Sequence, residues 1–170
     1  MLAARRGSTS RRGVLLRGRS VTKGMIDVLL RGVDHIACLT HDPARLGEFY
    51  AAVFDAEIGP TRAHGQDGEE TMTVMRIGPH TELNVFTVPS SDEADRQTPM
   101  WHRGRLDHFG LHAASYPAFA TIRERLMTRG ASDGTVNDFG AAFSMFFRDP
   151  DGLEGEVLVP KADDGSHPVA

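Results

Sequence analysis

The dipeptide Asp-His occurs twice in this chain, and each copy begins a short apolar run. The first copy is Asp34-His35 and the second is Asp107-His108. An imidazole can bind a divalent metal. Because the dipeptide heads two segments of similar pattern, the chain contains an internal duplication. The duplication places two histidines at equivalent positions of two equivalent units, where they can meet at a shared centre.

The elements that position the first histidine follow the order strand, helix and three strands. Alternating apolar residues predict a strand at 33–39. Asp42-Pro43 is typical of a helix start, with the aspartate as N-cap and the proline in the first turn. Apolar residues recur at helical spacing from Leu46 to Phe54 and predict one buried face. Three further strands are predicted at 56–62, 71–77 and 82–88.

The second unit repeats this order. A strand is predicted at 106–113, a helix opens at Tyr116-Pro117, and Gly130 supplies its C-terminal stop. Three strands are predicted at 132–136, 142–147 and 154–159. We therefore predict an α+β fold of two tandem βαβββ modules, which form a curved mixed sheet around a shared cavity. The predicted boundaries within a single domain at 25–160 are module one at 31–88, a linker at 89–104 and module two at 105–160.

Composition excludes several classes of protein. The chain has 170 residues, 40% of them hydrophobic, which suffices for one core. A single cysteine, Cys38, excludes a disulfide framework and suits a reducing compartment, so a cytoplasmic location is expected. No apolar run approaches the roughly 20 residues that a membrane span needs. We expect no membrane association.

The net charge of −4 conceals an uneven distribution. Residues 1–24 carry seven of the 19 basic residues and no acid, which leaves 12 bases against 23 acids, or −11, in the remainder. An acidic body argues against a nucleic-acid partner. Residues 1–24 are predicted to be a disordered basic tail, and residues 161–170 a second tail. A transit peptide, or a true start at Met25, remains an alternative for the basic segment.

The repeated unit, the two Asp-His strands and the turn Asp149-Pro150-Asp151-Gly152 with Glu156 shortly after it resemble the vicinal oxygen chelate superfamily. That group includes glyoxalase I, bleomycin- and fosfomycin-resistance proteins, methylmalonyl-CoA epimerase and extradiol dioxygenases. The resemblance covers about residues 31–160, and the turn with its trailing glutamate is its most specific part.

The resemblance implies a divalent metal between the modules. The positions that match the family's ligands are His35, His108 and Glu156, with Glu82 as the fourth. Such a donor set suits Zn, Ni, Mn or Fe(II) and leaves room for a substrate that chelates through two oxygens. Glu156 or Glu82 would then serve as the general base. The expected partner is a small-molecule substrate, and a homodimer is compatible with the family.

Two questions stay open at the level of the sequence. Glu82, Asn84 and Phe86 share one face of their strand, and without Glu82 the site would reduce to two histidines and Glu156, the facial triad of non-haem iron oxygenases. Three functions therefore remain: a glyoxalase-type isomerase or lyase, an extradiol-type dioxygenase, and a metal-free binder of an aromatic drug. The single tryptophan, Trp101, falls in the linker, so it gives little support to the metal-free binder. Weaker candidates for the site or its rim are Glu154, His112, Arg76 and Arg148, whereas Cys38 is predicted to be a packing residue.

Overall fold

The computed structural model describes residues 29, 32–96 and 98–161. The chain divides into two units at residue 33, and the fold below is that of the described residues of the second unit, 33–96 and 98–161. The tail predicted at 1–24 and all but the first residue of the tail predicted at 161–170 lie outside the described residues. None of the described helices is both long and apolar enough to cross a membrane.

Module one forms a mixed sheet with one helix. Its elements are β1 (His35–Leu39), α1 (Pro43–Phe54), β2 (Glu57–Ile58), β3 (Arg62–His64), β4 (Glu70–Arg76) and β5 (Glu82–Thr87). The strand order is β1-β5-β4-β2, with β3 also paired to β4. β1 and β5 are parallel, and their register sets His35 opposite Glu82. Paired residues lie on the same face of a sheet, so these two sequence-predicted ligands share one face.

Module two repeats the arrangement after a linker that contains one turn of 3₁₀ helix (Glu93–Asp95). Its elements are β6 (Phe109–His112), α2 (Tyr116–Thr128), β7 (Asn137–Asp138), β8 (Ala142–Arg148) and β9 (Glu154–Pro160). The strand order is β6-β9-β8-β7, and β6 runs parallel to β9 as β1 does to β5. The predicted α+β fold of two tandem βαβββ modules is confirmed, with one mixed sheet in each module.

The helix starts are those that the sequence predicts, with one addition. The Asp42 carboxylate accepts a hydrogen bond from the Arg45 backbone N–H and caps α1. In α2 the cap is Ser115, whose hydroxyl accepts from the Ala118 N–H at 3.2 Å. Gly130 has a φ of 65°, the left-handed conformation that its predicted role as a helix stop requires.

Two of the predicted strands are wrong in their bounds or place. The strand predicted at 132–136 is absent from the described chain, and the short strand β7 follows it instead. The Ser132 hydroxyl donates to the Phe146 carbonyl at 2.6 Å and accepts from the Gly134 N–H, while Gly134 has a φ of 76°. Local side-chain hydrogen bonds of this kind compete with strand pairing. The strand predicted at 56–62 is divided into β2 and β3.

Both sheets bury the face that is turned to the helices. In module one Leu83, Val85 and Met75 are fully buried against α1. The two modules pack against each other on the helix-bearing sides of their sheets. Helix α1 contacts α2, and the Phe147 ring of β8 lies 6.3 Å from that of Phe49. The opposite faces of the two sheets, called the open faces below, carry the sequence-predicted ligands.

Candidate metal centre

His108 immediately precedes β6, and both of its ring nitrogens are directed at carboxylates. Its Nδ1 is 2.9 Å from Asp107 Oδ2, and its Nε2 is 3.6 Å from Glu156 Oε2. A carboxylate accepts hydrogen bonds, so Nδ1 carries the proton in the neutral ring and Nε2 holds the lone pair. The hydrogen bond from His108 also lowers the pKa of Asp107. The chain thus directs the unprotonated ring nitrogen of His108 toward Glu156.

Glu156 is the better buried half of this pair, with 9% of its surface exposed. The Ser144 hydroxyl donates a hydrogen bond to its Oε1, which leaves Oε2 on the side of His108. Gly110 is paired with Glu156 in the sheet, and a Cβ at this position would lie 3.9 Å from Oε2 and 3.0 Å from a Leu158 methyl group. The glycine therefore keeps the space above the carboxylate open.

His35 repeats the arrangement of His108. Its Nδ1 lies 2.9 Å from Asp34 Oδ1, the same separation as in the second Asp-His pair. The solvent environments differ, because the Asp34 side chain is 95% exposed and the Asp107 side chain 17%. The internal duplication read from the sequence therefore extends to the hydrogen bond that orients each imidazole.

Glu82 faces the same side as His35 but is already engaged. Arg76 donates to Glu82 Oε1 from both Nε, at 3.2 Å, and Nη2, at 3.0 Å. A third bond from Arg76 reaches Glu57 at 2.9 Å, and these carboxylates raise the pKa of the guanidinium, Glu82 most strongly. Glu57, Arg76 and Glu82 line a cavity of about 440 Å³ on the open face of module one. Arg76, a weak candidate in the sequence, is thus the partner of a predicted ligand.

Within one chain the structure brings only part of the predicted set together. In the described part of the chain, no three His, Cys, Asp or Glu side chains form a group that could hold a metal ion. His108 and Glu156 are adjacent in space, and His35 and Glu82 are neighbours in register on the other sheet. The residues fit a divalent cation in chemical type, as oriented imidazole nitrogens and a carboxylate oxygen beside an open space.

The comparisons with known proteins agree with this architecture. Residues 35–158 match the family described as the glyoxalase-like domain. The chain belongs to this glyoxalase-like family, within the vicinal oxygen chelate superfamily. No curated protein sequence matches the chain significantly.

Solved structures share the glyoxalase-like fold at low sequence identity. A glyoxylase/bleomycin resistance protein/dioxygenase domain from Frankia sp. EAN1pec is 18% identical, covers 79% of this chain and 95% of its own, and has a TM-score of 0.65. Lactoylglutathione lyase from Agrobacterium tumefaciens is 20% identical, with coverages of 78% and 96% and a TM-score of 0.53. A mutant of the fosfomycin resistance protein FosX from Listeria monocytogenes, complexed with Mn(II) and 1S,2S-dihydroxypropylphosphonic acid, is 14% identical, with coverages of 80% and 98% and a TM-score of 0.58.

In this glyoxalase-like chain the Asp-Pro-Asp-Gly turn connects the two modules. Tyr50 of α1 donates its hydroxyl to Asp149 Oδ2 at 3.2 Å, and Arg45 of α1 pairs with Asp151. Asp149 Oδ1 accepts the backbone N–H groups of Asp151 and Leu153 at 3.0 and 2.9 Å, which closes the turn. The most specific motif of the sequence therefore holds module two against module one.

Cys38 has the packing role that its position in β1 predicts. It packs against the core, and burial, with the nearby charges of Asp149 and Asp151, raises the pKa of its thiol to about 12. A thiol with this pKa stays protonated and is a poor nucleophile.

Sequence reasoning missed two linker residues at the glyoxalase-like site. The Trp101 ring lies 6.0 Å from that of His108, and Trp101 donates its backbone N–H to Asp107 Oδ1. The largely buried Arg103 donates to Glu154 at 2.9 Å and to the Asp107 carbonyl at 3.4 Å. The available signal was position, because Trp101 precedes Asp107 by only six residues.

Proposed function

We propose that the chain is a metal-dependent enzyme of the glyoxalase type, an isomerase or lyase acting on a small, oxygen-rich substrate. The observation that carries the proposal is the 3.6 Å separation of His108 Nε2 and Glu156 Oε2. Two ligands held at about 2.1 Å from one cation lie roughly 3.0–3.5 Å apart, so a small adjustment lets the pair share one. The FosX complex with Mn(II), which has the same fold, supports a divalent cation here.

The proposed ligands are His35, His108 and Glu156, with Glu82 as the fourth. Asp34 and Asp107 hold the two imidazoles in the tautomer that presents Nε2. Zn, Ni, Mn and Fe(II) all suit this set of nitrogen and oxygen donors. Glu82 can join only if its oxygens leave Arg76, which makes it the least strongly supported member of the set.

The proposed site is completed by a second copy of the chain. The two modules of one chain pack through their helices, and the open faces carry His35 on one sheet and His108 with Glu156 on the other. We propose that the open face of module one in one copy closes over that of module two in its partner. A symmetric dimer then contains two equivalent sites.

The chain's own residues can bind substrate and move a proton at this site. The bound cation would polarise a substrate carbonyl as a Lewis acid. Glu156 Oε2 lies on the side of His108 because Ser144 occupies Oε1, and once Oε2 partly detaches from the cation it is placed to take a proton from the adjacent carbon and return it. Glu82 is the alternative base. The space kept open by Gly110 above Glu156 is where the reacting carbon would lie.

Calorimetric titration with Mn²⁺ and Zn²⁺ tests the metal site. We expect His108→Ala to lower affinity at least tenfold, since it removes a ligand. His112→Ala is the matched control, because His112 is exposed on the same face of β6 but is not a proposed ligand. Equal affinity in wild type and His108→Ala, or no binding by wild type, would overturn the proposal. If wild type binds no metal, the metal-free binder is the function that remains.

A mixing experiment tests where the site is built. In homodimers, His35→Ala and His108→Ala should each lack any complete site. After the two variants are unfolded and refolded together, random pairing should restore about a quarter of the sites, because half of the dimers are mixed and each has one intact site. Metal bound per chain measures this fraction. No recovery, or a monomer in light scattering, would contradict assembly between copies.

An extradiol-type dioxygenase is the second candidate, and the engagement of Glu82 by Arg76 favours it. If Glu82 stays with Arg76, the remaining ligands are two histidines and one carboxylate, the set typical of non-haem Fe(II) oxygenases. Glu82→Gln should then leave Fe(II) affinity unchanged while Glu156→Gln lowers it, and the Fe(II)-loaded protein should consume oxygen with catechol. Equal losses in the two variants, without oxygen uptake, would favour the four-ligand isomerase or lyase.

A further inference from the structure

Trp101 combines three properties that its position in a linker does not predict. It is 75% exposed, so most of its indole surface contacts no part of the described protein. Its φ is 69°, a left-handed conformation that costs a bulky L-residue roughly 1–2 kcal/mol. Its ring packs edge-to-face on His108, with an interplanar angle of 81°. An exposed aromatic side chain held in a strained conformation beside a predicted ligand calls for an explanation.

The strained conformation is held by the same residue that orients His108. The Trp101 backbone N–H donates to Asp107 Oδ1 while His108 Nδ1 donates to Oδ2, so one carboxylate holds both the backbone at Trp101 and the imidazole of His108. Arg103 anchors the following turn through Glu154 and the Asp107 carbonyl. The side chain of Arg103 is only 8% exposed, which makes this a built attachment of the linker to module two.

A second aromatic ring borders the same imidazole. Phe146 of β8 packs edge-to-face on His108 with centroids 5.6 Å apart, and it is paired in the sheet with Glu156. The imidazole of His108 is therefore bordered by an indole and a phenyl ring. Aromatic rings attract other flat rings through stacking and edge contacts beyond the effect of buried area alone.

We propose that Trp101 is a specificity residue whose exposed indole binds an aromatic ring of the substrate while the substrate's two oxygens reach the centre at His108 and Glu156. The inference rests on the proposed metal centre and narrows its substrate to aromatic or conjugated compounds with vicinal oxygens. The backbone that carries the indole is held by Asp107 and the ring rests against His108, which lowers the ordering cost when an aromatic ring docks.

Two hydroxamates with one chelating group separate this contact from metal binding. Benzohydroxamate and acetohydroxamate both bind a metal ion through two oxygens. The first carries a phenyl group where the second carries a methyl group. Calorimetry on the Mn²⁺-loaded protein gives the ratio of their affinities. We expect Trp101→Leu to lower the preference for benzohydroxamate by about 2- to 12-fold, the range for one aromatic pair, and Trp101→Phe to retain part of it. Phe139→Leu, which alters another exposed aromatic side chain, should leave the ratio unchanged.

An unchanged ratio in Trp101→Leu would overturn the proposal while leaving the metal centre standing. If no metal binds, emission of Trp101, the chain's single tryptophan, decides the question during titration of metal-free protein. Saturable quenching by benzohydroxamate, with no effect of acetohydroxamate, would support the aromatic contact and overturn the metal centre. No effect of either compound would overturn both.

Discussion

At the scale of single residues, Asp34 and Asp107 perform the same task in different solvent environments. Each accepts a hydrogen bond from its neighbouring histidine at 2.9 Å, but the Asp34 side chain is 95% exposed and the Asp107 side chain 17%. A hydrogen bond to a charged acceptor weakens where water competes for it. The second Asp-His pair is therefore the more rigid of the two.

We predict that Asp107→Asn lowers Mn²⁺ affinity by about 10- to 100-fold, the usual cost of losing a carboxylate behind a ligating histidine. Asp34→Asn should cost several-fold less, because Asp34 is almost fully exposed. Calorimetric titration of both variants measures the difference. Equal losses would show that solvent exposure does not control the orienting effect.

Trp101 gives a second prediction at this scale. Asparagine adopts a positive φ more readily than tryptophan, and the exposed indole buries little surface. Trp101→Asn should leave the free energy of unfolding unchanged or raise it by up to about 1 kcal/mol, while benzohydroxamate affinity falls. Urea unfolding followed by circular dichroism measures the first quantity. A loss of stability above about 1 kcal/mol would indicate that the indole packs the fold.

The predictability of these residues depended on local pattern. His35, His108 and Glu156 could be proposed as ligands because each belongs to a short motif, and the structure places His108 beside Glu156. The bond from Arg76 to Glu82 joins adjacent strands across a turn, so it depends on register, which alternation alone does not set. Trp101 was missed because the path of a linker is fixed by tertiary contacts such as that to Asp107.

At the scale of elements, the β8–β9 turn is held to α1 by a buried acid. Burial raises the pKa of Asp149 from 3.8 to about 6, although hydrogen bonds from the Leu153 and Asp151 backbone and from Tyr50 oppose the rise. A carboxyl group whose pKa is higher in the folded than in the unfolded protein destabilises the fold as it ionises. Its stabilising share is complete below about pH 4 and declines as the pH rises through 6.

We predict that Asp149→Asn removes the loss of folding stability that Asp149 causes as the pH rises. The unfolding free energy of wild type, relative to that of the variant, should fall between pH 4 and pH 7 by about 2–3 kcal/mol at most, the equivalent of two pKa units. Urea unfolding at pH 4.5, 5.5 and 7.0 measures the difference. A difference that stays constant across this range, or grows with pH, would show that Asp149 does not titrate as described.

Elements with strong periodic patterns were predicted well, and short ones were not. The stripe of α1, its Asp42 cap and the strand that begins at Glu82 all agree with the structure. The strand predicted at 132–136 failed because Ser132 and Asp133 hydrogen bond to nearby backbone groups and Gly134 has a positive φ. Two-residue strands such as β7 carry no periodic signal at all.

At the scale of the whole molecule, Phe147 connects the two modules. Its ring is 2% exposed and packs against Phe49 and Phe54 of module one and Phe109 of module two. A Cβ at Gly155 of β9 would lie 2.2 Å from this ring, so only a glycine at this position leaves room for Phe147. The hydrophobic core is therefore continuous across the modules.

We predict that Phe147→Ala lowers the free energy of unfolding by about 3–5 kcal/mol, the usual cost of emptying a buried phenyl site. The control Phe139→Ala alters a side chain that is 59% exposed and should cost less than about 1 kcal/mol. Calorimetric melting should show one transition in wild type. Two separate transitions in wild type would show that the modules unfold independently.

The pairing of each histidine with the aspartate beside it has a consequence for how such proteins arise. The orienting aspartate is inherited together with the histidine, because both lie in one dipeptide and their hydrogen bond needs no distant residue. Duplication of such a segment gives the second half of the chain a histidine that is already oriented, before any other change of sequence. For protein engineering, an Asp-His dipeptide at the start of an edge strand is a way to introduce an oriented histidine into another sheet.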